Sequence, residues 1–265
     1  MAEPLLPCVR VEPPGPVRAS VIWLHGLGAD GHDFEPIVPE LGLESSLGVR
    51  FLFPHAPRIP VSLNLGMIMP AWFDLRVLGG TGVDVDEAGL RRSAARIEAL
   101  IEREREEGIP DERIVLAGFS QGGSLALHTA LRHPRRLAGV LGLSTFLVLG
   151  DRLQEEAAEV NRDLPVFLAH GSFDPMVPLE AGRRTREALE ALGWPVEYHE
   201  YPMQHQVCLE EIREVGAFLR RVLSGGEEEA QEEEAQEEEA QGEEAQGEEA
   251  QGEEAQGGEA QGGEA

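Results

Sequence analysis

The pentapeptide Gly118-Phe119-Ser120-Gln121-Gly122 constrains this chain more than any other feature. It follows an apolar run, Ile114 to Ala117, and leads into a second one, Leu125 to Leu131, broken by the polar His128 and Thr129. A strand, a serine flanked by glycines and a helix, in that order, describe a sharp turn that lifts one hydroxyl clear of a sheet. The glycines matter because side chains at their positions would crowd such a turn. The hydroxyl would then stand above the N-terminus of the following helix, where backbone amides can meet a developing negative charge.

The surrounding pattern supplies the sheet. Residues 7–11, 19–25, 49–54, 113–118, 137–143, 165–170 and 196–201 read as strands. The inner ones are continuous apolar runs, as buried parallel strands are. Helices are expected over residues 31–41, 86–107, 121–132, 179–192 and 207–222. The second of these carries Leu90, Ala94, Ile97, Leu100 and Ile101 on one face and stops at Gly108-Ile109-Pro110. Such alternation predicts the α/β class, with a single domain over residues 1–223, a mostly parallel doubly wound sheet and helices on both faces, and the glycine-flanked serine turn makes the expectation an α/β-hydrolase domain. The remainder, residues 224–265, is a drifting pentapeptide repeat of Glu, Ala, Gln and Gly that begins past Ser224-Gly225-Gly226. Its period matches neither a heptad nor a helical stripe, and its like charges repel, so a disordered acidic tail is expected. An interaction arm and a tolerated repeat expansion are both open readings of it.

Charge and composition exclude several function classes. The formal net charge is -27, but 17 of the 49 acidic residues lie in the repeat, which leaves 32 acids against 22 bases in the rest. With that sign and no basic patch, nucleic acid and anionic lipid are not expected partners. No apolar stretch reaches membrane-spanning length, and the first residues lack the basic start and apolar core of a signal peptide, so a cytoplasmic location is the default. The only cysteines, Cys8 and Cys208, read as reduced thiols, with Cys208 a buried small residue at a helix start. No pair of zinc-binding spacing occurs and no cofactor is implied.

In an open α/β sheet, function gathers in loops beyond the carboxyl ends of the strands. A serine needs a general base, and the base needs a carboxylate; in α/β hydrolases they follow in the order Ser, acid, His. Asp174, beyond the strand at 165–170, fits the acid, and His205, in a loop after the strand at 196–201, fits the base. Asp151 and Asp163 compete for the acid but flank a polar segment that reads as solvated; His170 and His199 read as structural strand residues. For the oxyanion hole the expected donors are the amides of Gln121, which follows the serine, and of Leu27, in the glycine-rich loop 24–31. That loop lacks a P-loop ending and the full dinucleotide spacing, which makes nucleotide binding the weaker reading. The apolar connection 63–73 is read as a wall for an acyl chain, with Met67, Met69, Trp72 and Phe73 lining a groove; plugging the core or meeting a second subunit in a homodimer are the alternatives.

These segments also resemble the phospholipase/carboxylesterase family, which includes acyl-protein thioesterases. The resemblance rests on Trp23 to Gly31, Phe53 to Pro57, Met69 to Asp74, Gly118 to Gly123, His170 to Asp174 with Val177-Pro178, and Tyr201 to His205. The wording is most similar to the bacterial carboxylesterase branch. It implies a cofactor-independent serine carboxylesterase acting on short- to medium-chain acyl esters, with Ser120 as nucleophile, Asp174 as orienting acid and His205 as base. An acyl-protein thioesterase or lysophospholipase using the same site is the alternative, and a small-molecule acyl ester or thioester the expected substrate. A peptidase or lipase on the same fold and a non-catalytic scaffold with an acidic interaction tail remain as further readings.

Overall fold

A computed structural model describes residues 4–78 and 82–224; the expected tail beyond Ser224 lies outside the described residues. The strands are β1 (Cys8–Val11), β2 (Ala19–Leu24), β3 (Val49–Pro54), β4 (Arg58–Val61), β5 (Met67–Pro70), β6 (Leu75–Leu78), β7 (Gly82–Val85), β8 (Ile114–Phe119), β9 (Gly139–Leu143), β10 (Val166–Gly171) and β11 (Val196–Tyr201). The helices are α1 (Glu87–Glu106), α2 (Gln121–Ala130), the single-turn α3 (Leu153–Glu156), α4 (Leu179–Ala191) and α5 (209–224).

Seven strands form the central sheet in the order β1-β3-β2-β8-β9-β10-β11. Only β1 runs antiparallel, against β3; the other pairings are parallel. The expected mostly parallel, doubly wound α/β-hydrolase sheet is therefore the fold. From β2 the chain goes outward to β3, then returns to place β8 on the other side of β2. That reversal sets the loops after β2 and β8 side by side at the carboxyl edge, where such sheets open a crevice.

Period-two alternation sorts side chains to two cores. Ile22, Leu24, Leu116, Val140 and Leu168 face one side with Leu90, Ile97 and Ile101 of α1, Leu125 and Leu127 of α2, and Leu189 of α4. Val21, Trp23, Val115, Ala117, Leu141 and Phe167 face the other with Ile212, Val215, Phe218 and Leu219 of α5. All ten residues of α2 are buried. Among them Gly122, Gly123, Ser124 and Ala126 let the helix lie close to β8 and β9.

Two expectations change. The helix expected over 31–41 is a loop followed by a 3-10 turn, Glu35–Leu41, with Pro36 near its start and Pro39 inside. Proline lacks the amide an α-helix needs and clashes with the preceding turn, which leaves only the tighter form. The apolar segment expected as a connection is largely a β-hairpin, β4 and β5, paired from Arg58↔Pro70 to Val61↔Met67. Its turn holds Leu65 at φ 57° and Gly66 at φ 78°. Among the described residues no helix is long and apolar enough to cross a membrane.

At the end of β8 away from Ser120, His133 lies fully buried between two carboxylates. Nδ1 is 2.6 Å from Glu98 Oε2, and Nε2 is 2.8 Å from Asp111 Oδ1, which also accepts Arg135 Nε at 2.9 Å. Burial opposes the imidazolium, but the Glu98 and Asp111 contacts outweigh it and hold the His133 pKa above its ordinary value. A raised folded-state pKa stabilises fully below the unfolded value of about 6.5 and loses that stabilisation as pH rises through the folded value. Thermal denaturation of wild type and His133→Gln is therefore expected to differ most near pH 6, by about 1–3 kcal/mol, and to converge as pH increases.

Candidate active site

The turn between β8 and α2 is built by exclusion. A Cβ on Gly118 would lie 2.4 Å from the backbone of Gly122, and one on Gly122 would lie 2.2 Å from the Leu24 carbonyl oxygen. Both approaches are closer than any real side chain tolerates, so the elbow closes only with glycine at both places. Ser120 itself sits at φ 54°, ψ -121°, a conformation that costs a non-glycine residue about 1–3 kcal/mol. Neighbours hold it there. The Ser120 amide donates to the Leu143 carbonyl at 2.8 Å, and its carbonyl accepts from Thr145 Oγ1 at 2.7 Å and the Ser124 amide at 3.1 Å.

Asp174 is set by the turn after β10. Its Oδ1 accepts the amides of Met176 at 2.8 Å and Val177 at 2.9 Å, and its side chain has no solvent exposure. Oδ2 is left for His205 Nδ1 at 2.6 Å, and His205 Nε2 reaches Ser120 Oγ at 3.0 Å. An ionised carboxylate only accepts, so the His205 proton belongs on Nδ1 and Nε2 presents a lone pair to the hydroxyl. The Phe119 ring lies under the imidazole, centroids 4.7 Å apart. Three side chains separated by up to 85 positions in sequence thus meet in one hydrogen-bonded chain.

The competing residues stand elsewhere. Asp163 pairs with Arg136, and Asp151 is exposed on a 3-10 turn. His199 stacks on Phe167 with centroids 5.2 Å apart and meets Glu197. His170 donates from Nε2 to the Val177 carbonyl at 2.9 Å, bracing the Asp174 turn from below. Burial depresses its pKa, so it braces as a neutral ring.

Gln121 opens α2, so its amide is among those a helix leaves without an internal partner. The Leu27 amide lies in the loop after β2 between neighbours that are engaged: Gly26 accepts from the Ala29 amide, and the Gly28 amide donates to the Pro70 carbonyl at 2.9 Å. Among the hydrogen bonds of the described residues none uses the Leu27 amide. His25 fixes the loop from within: Nδ1 donates to the Gly26 carbonyl at 2.8 Å and Nε2 accepts the Ala56 amide at 3.1 Å. Burial lowers its pKa, in keeping with a neutral ring that must both donate and accept.

Two of the four residues expected to line an acyl groove are buried. Trp72 and Phe73 are 1% and 0% exposed and belong to the core. They offer no surface to a bound chain, because Leu75, Leu90 and the rest of that cluster already cover them. Met67 is exposed on β5, while Met69 is half-buried against the loop after β2, its Sδ facing Gly28. Sequence reasoning missed the polar role of the Trp72 backbone and indole, which bond His25 and Gln121; a tryptophan in an apolar run gives no signal of it. Cys208 at the start of α5 is half-buried. Among the described residues no group of three or more His, Cys, Asp or Glu could hold a metal ion.

Comparison with known proteins places the chain in a family. The sequence pattern of the phospholipase/carboxylesterase family matches residues 7–223. Acyl-protein thioesterase 1 of Gibberella zeae is 42% identical over 216 residues, covering 77% of this chain and 91% of the relative. The Neurospora crassa protein of the same name is 40% identical over 209 residues, covering 76% and 85%. Among solved structures, SOBER1 of Arabidopsis thaliana superposes with a TM-score of 0.73 at 31% identity, over 78% of this chain and all of that one. Zea mays acyl-protein thioesterase 2 gives a TM-score of 0.73 at 30% identity, over 82% and 99%.

Proposed function

The chain belongs to the phospholipase/carboxylesterase family, and from its place there as an ester or thioester hydrolase we propose that Ser120, His205 and Asp174 carry out the reaction. His205 Nε2 takes the proton of Ser120 Oγ as the oxygen attacks the acyl carbonyl. The electron pair of the C=O bond moves to oxygen, and the amides of Leu27 and Gln121 stabilise the oxyanion. Donors of this kind contribute about 10²–10³-fold each. Collapse expels the alcohol or thiol, which takes its proton from His205, and leaves an acyl group on Ser120. Water, deprotonated by the same imidazole, attacks that acyl-enzyme and releases the acid. Throughout, Asp174 holds the His205 tautomer and offsets the charge of the imidazolium.

The observation that carries this reading is the His205 ring spanning Ser120 Oγ at 3.0 Å and Asp174 Oδ2 at 2.6 Å. One base serving both half-reactions makes no demand for a metal or cofactor. For the substrate, the reading is a short- to medium-chain carboxylic ester. A second reading, a thioester on an acylated protein cysteine, is favoured by the 42% identity to a protein named acyl-protein thioesterase, and a lysophospholipid is the further alternative that the family's description allows. With a thioester, collapse of the tetrahedral intermediate during acylation of Ser120 is easier because a thiolate leaves more readily than an alkoxide, while hydrolysis of the resulting acyl-enzyme is unchanged.

Hydrolysis of p-nitrophenyl esters from acetyl to palmitoyl, beside a palmitoyl thioester on a peptide cysteine, separates the two, with Ser120→Ala as the blank. A maximum at four to eight carbons, in the order of about 10-fold above palmitoyl, supports the small-ester reading; each added methylene is worth only about 1 kcal/mol in a pocket. Preference for the peptide thioester supports the second. Rates equal to those of Ser120→Ala across the whole series overturn both.

A further inference from the structure

The proposed oxyanion donors, Leu27 and Gln121, come from the ends of neighbouring strands, β2 and β8, and a third piece of chain bonds to both of their surroundings. Residues 70–73, running from the end of β5, touch both. On the first loop, the Pro70 carbonyl accepts the Gly28 amide at 2.9 Å, one residue after Leu27. Trp72 Nε1 donates to the His25 carbonyl at 2.8 Å, two residues before it. On the second, the Gln121 side chain grips the same segment with both ends of its amide: Oε1 accepts the Trp72 amide at 2.9 Å, and Nε2 donates to the Phe73 carbonyl at 2.8 Å. The segment is itself anchored, since Ser93 Oγ on α1 donates to the Trp72 carbonyl and the Ala71 amide donates to the Pro57 carbonyl at 3.0 Å. Gln121 is 2% exposed and Trp72 1%, so water is not at hand to replace any of these bonds.

We infer that Trp72 and the side chain of Gln121 are positioning residues that set the distance between the two oxyanion donors. The inference rests on the reading of Leu27 and Gln121 given above. Neither Trp72 nor the Gln121 carboxamide touches the reacting atoms; each acts on a backbone amide that does. An oxyanion hole works because its donors need not move as charge develops, and a donor must lie within about 2.7–3.1 Å of the oxyanion to count. A strap bonded to both sides of Leu27 and to the residue supplying the other donor meets that demand, and a displacement of about 1 Å is enough to lose a large part of it. The Gln121 carboxamide suits the task because it accepts and donates at once, reading an amide and a carbonyl on adjacent residues of the strap.

The test compares Trp72→Phe, which removes the indole N–H but retains a ring, with Gln121→Met, which retains length but removes both bonds. Leu189→Ala in α4 is the control for a purely structural loss. For each, kcat and KM on a p-nitrophenyl ester are measured per titrated active site, together with Ki for an alkyl trifluoromethyl ketone. The Ser120 hydroxyl adds to that ketone, giving a tetrahedral adduct whose oxyanion sits where the transition state's does. Expected for both variants is a fall in kcat of about 10–100-fold with KM within about threefold, less than deletion of a donor outright. The ketone Ki is expected to rise by the same factor, so that log Ki tracks log kcat/KM. Leu189→Ala is expected to lower the melting temperature and leave Ki and kcat per active site as in wild type. An unchanged Ki in both strap variants, whatever their activity, overturns the inference. Failure of the underlying reading looks different: the ketone then does not inhibit even the wild type, and Ser120→Ala keeps its activity.

Discussion

Ser120→Ala is expected to lower kcat by about five to six orders of magnitude on any ester the protein turns over, the size seen when the nucleophile of a serine hydrolase is removed. The residual rate comes from the oxyanion donors and binding, which act on water without the serine. KM is expected to change little, because the hydroxyl contributes to bond formation rather than to holding the substrate. Stability is the useful companion measurement. At φ 54° alanine is strained as serine is, so Ser120→Ala is expected to melt within about 2 °C of wild type, while Ser120→Gly, free of that strain, is expected to gain on the order of 1 kcal/mol. An alanine variant that loses less than tenfold in kcat, with its active fraction verified by titration, removes the serine mechanism altogether.

The parts of this architecture that the sequence displays are those with local causes. The seven expected segments appear as the seven strands of the sheet; the inner ones announce themselves because parallel strands buried on both faces are apolar throughout. The elbow was visible because its glycines stand on either side of Ser120 in sequence; the limit on Gly118 is local, the backbone of Gly122, whereas that on Gly122 comes from the Leu24 carbonyl on β2. The helix expected at 31–41 failed for a local reason too: Pro36 and Pro39 outweigh the apolar spacing of Leu41 and its neighbours. The hairpin at 58–70 was hidden because its turn, Asn64-Leu65-Gly66, puts a leucine at φ 57°, and an apolar residue there carries no turn signal; Asn64 and Gly66 were the only clues. Trp72 and Phe73 were read as groove lining since an apolar loop suggests a ligand, yet β6, α1 and α2 had already claimed their surfaces. What lay furthest from view was the Gln121 carboxamide. Its partners are 48 and 49 positions away, and only the folded sheet brings them within reach.

Asp174→Asn tests the orientation of the base, and the hydrogen bonds around it dictate the result. Oδ1 accepts two amides, from Met176 and Val177, at 2.8 and 2.9 Å. An asparagine NH2 cannot take that place, because it would point donors at donors. The amide must therefore keep its oxygen there and turn its NH2 toward His205 Nδ1, where the carboxylate oxygen stood. Facing a donor, Nδ1 becomes the acceptor and the ring proton moves to Nε2, the atom that lies 3.0 Å from Ser120 Oγ. The base then presents an N–H to the hydroxyl whose proton it has to remove. The expected loss in kcat is about 10⁴-fold, the cost of the wrong tautomer, with the turn intact and the melting temperature lowered by only a few degrees. Asp174→Ala is expected to lose both: the two amides are left without an acceptor in a buried turn, each at a cost of about 1–3 kcal/mol, so its stability falls with its rate. If Asp174→Asn stays within tenfold of wild type, His205 draws its orientation from another group, and the neutral His170, 3.6 Å from Asp174 Oδ2, is the neighbour whose substitution should then be measured.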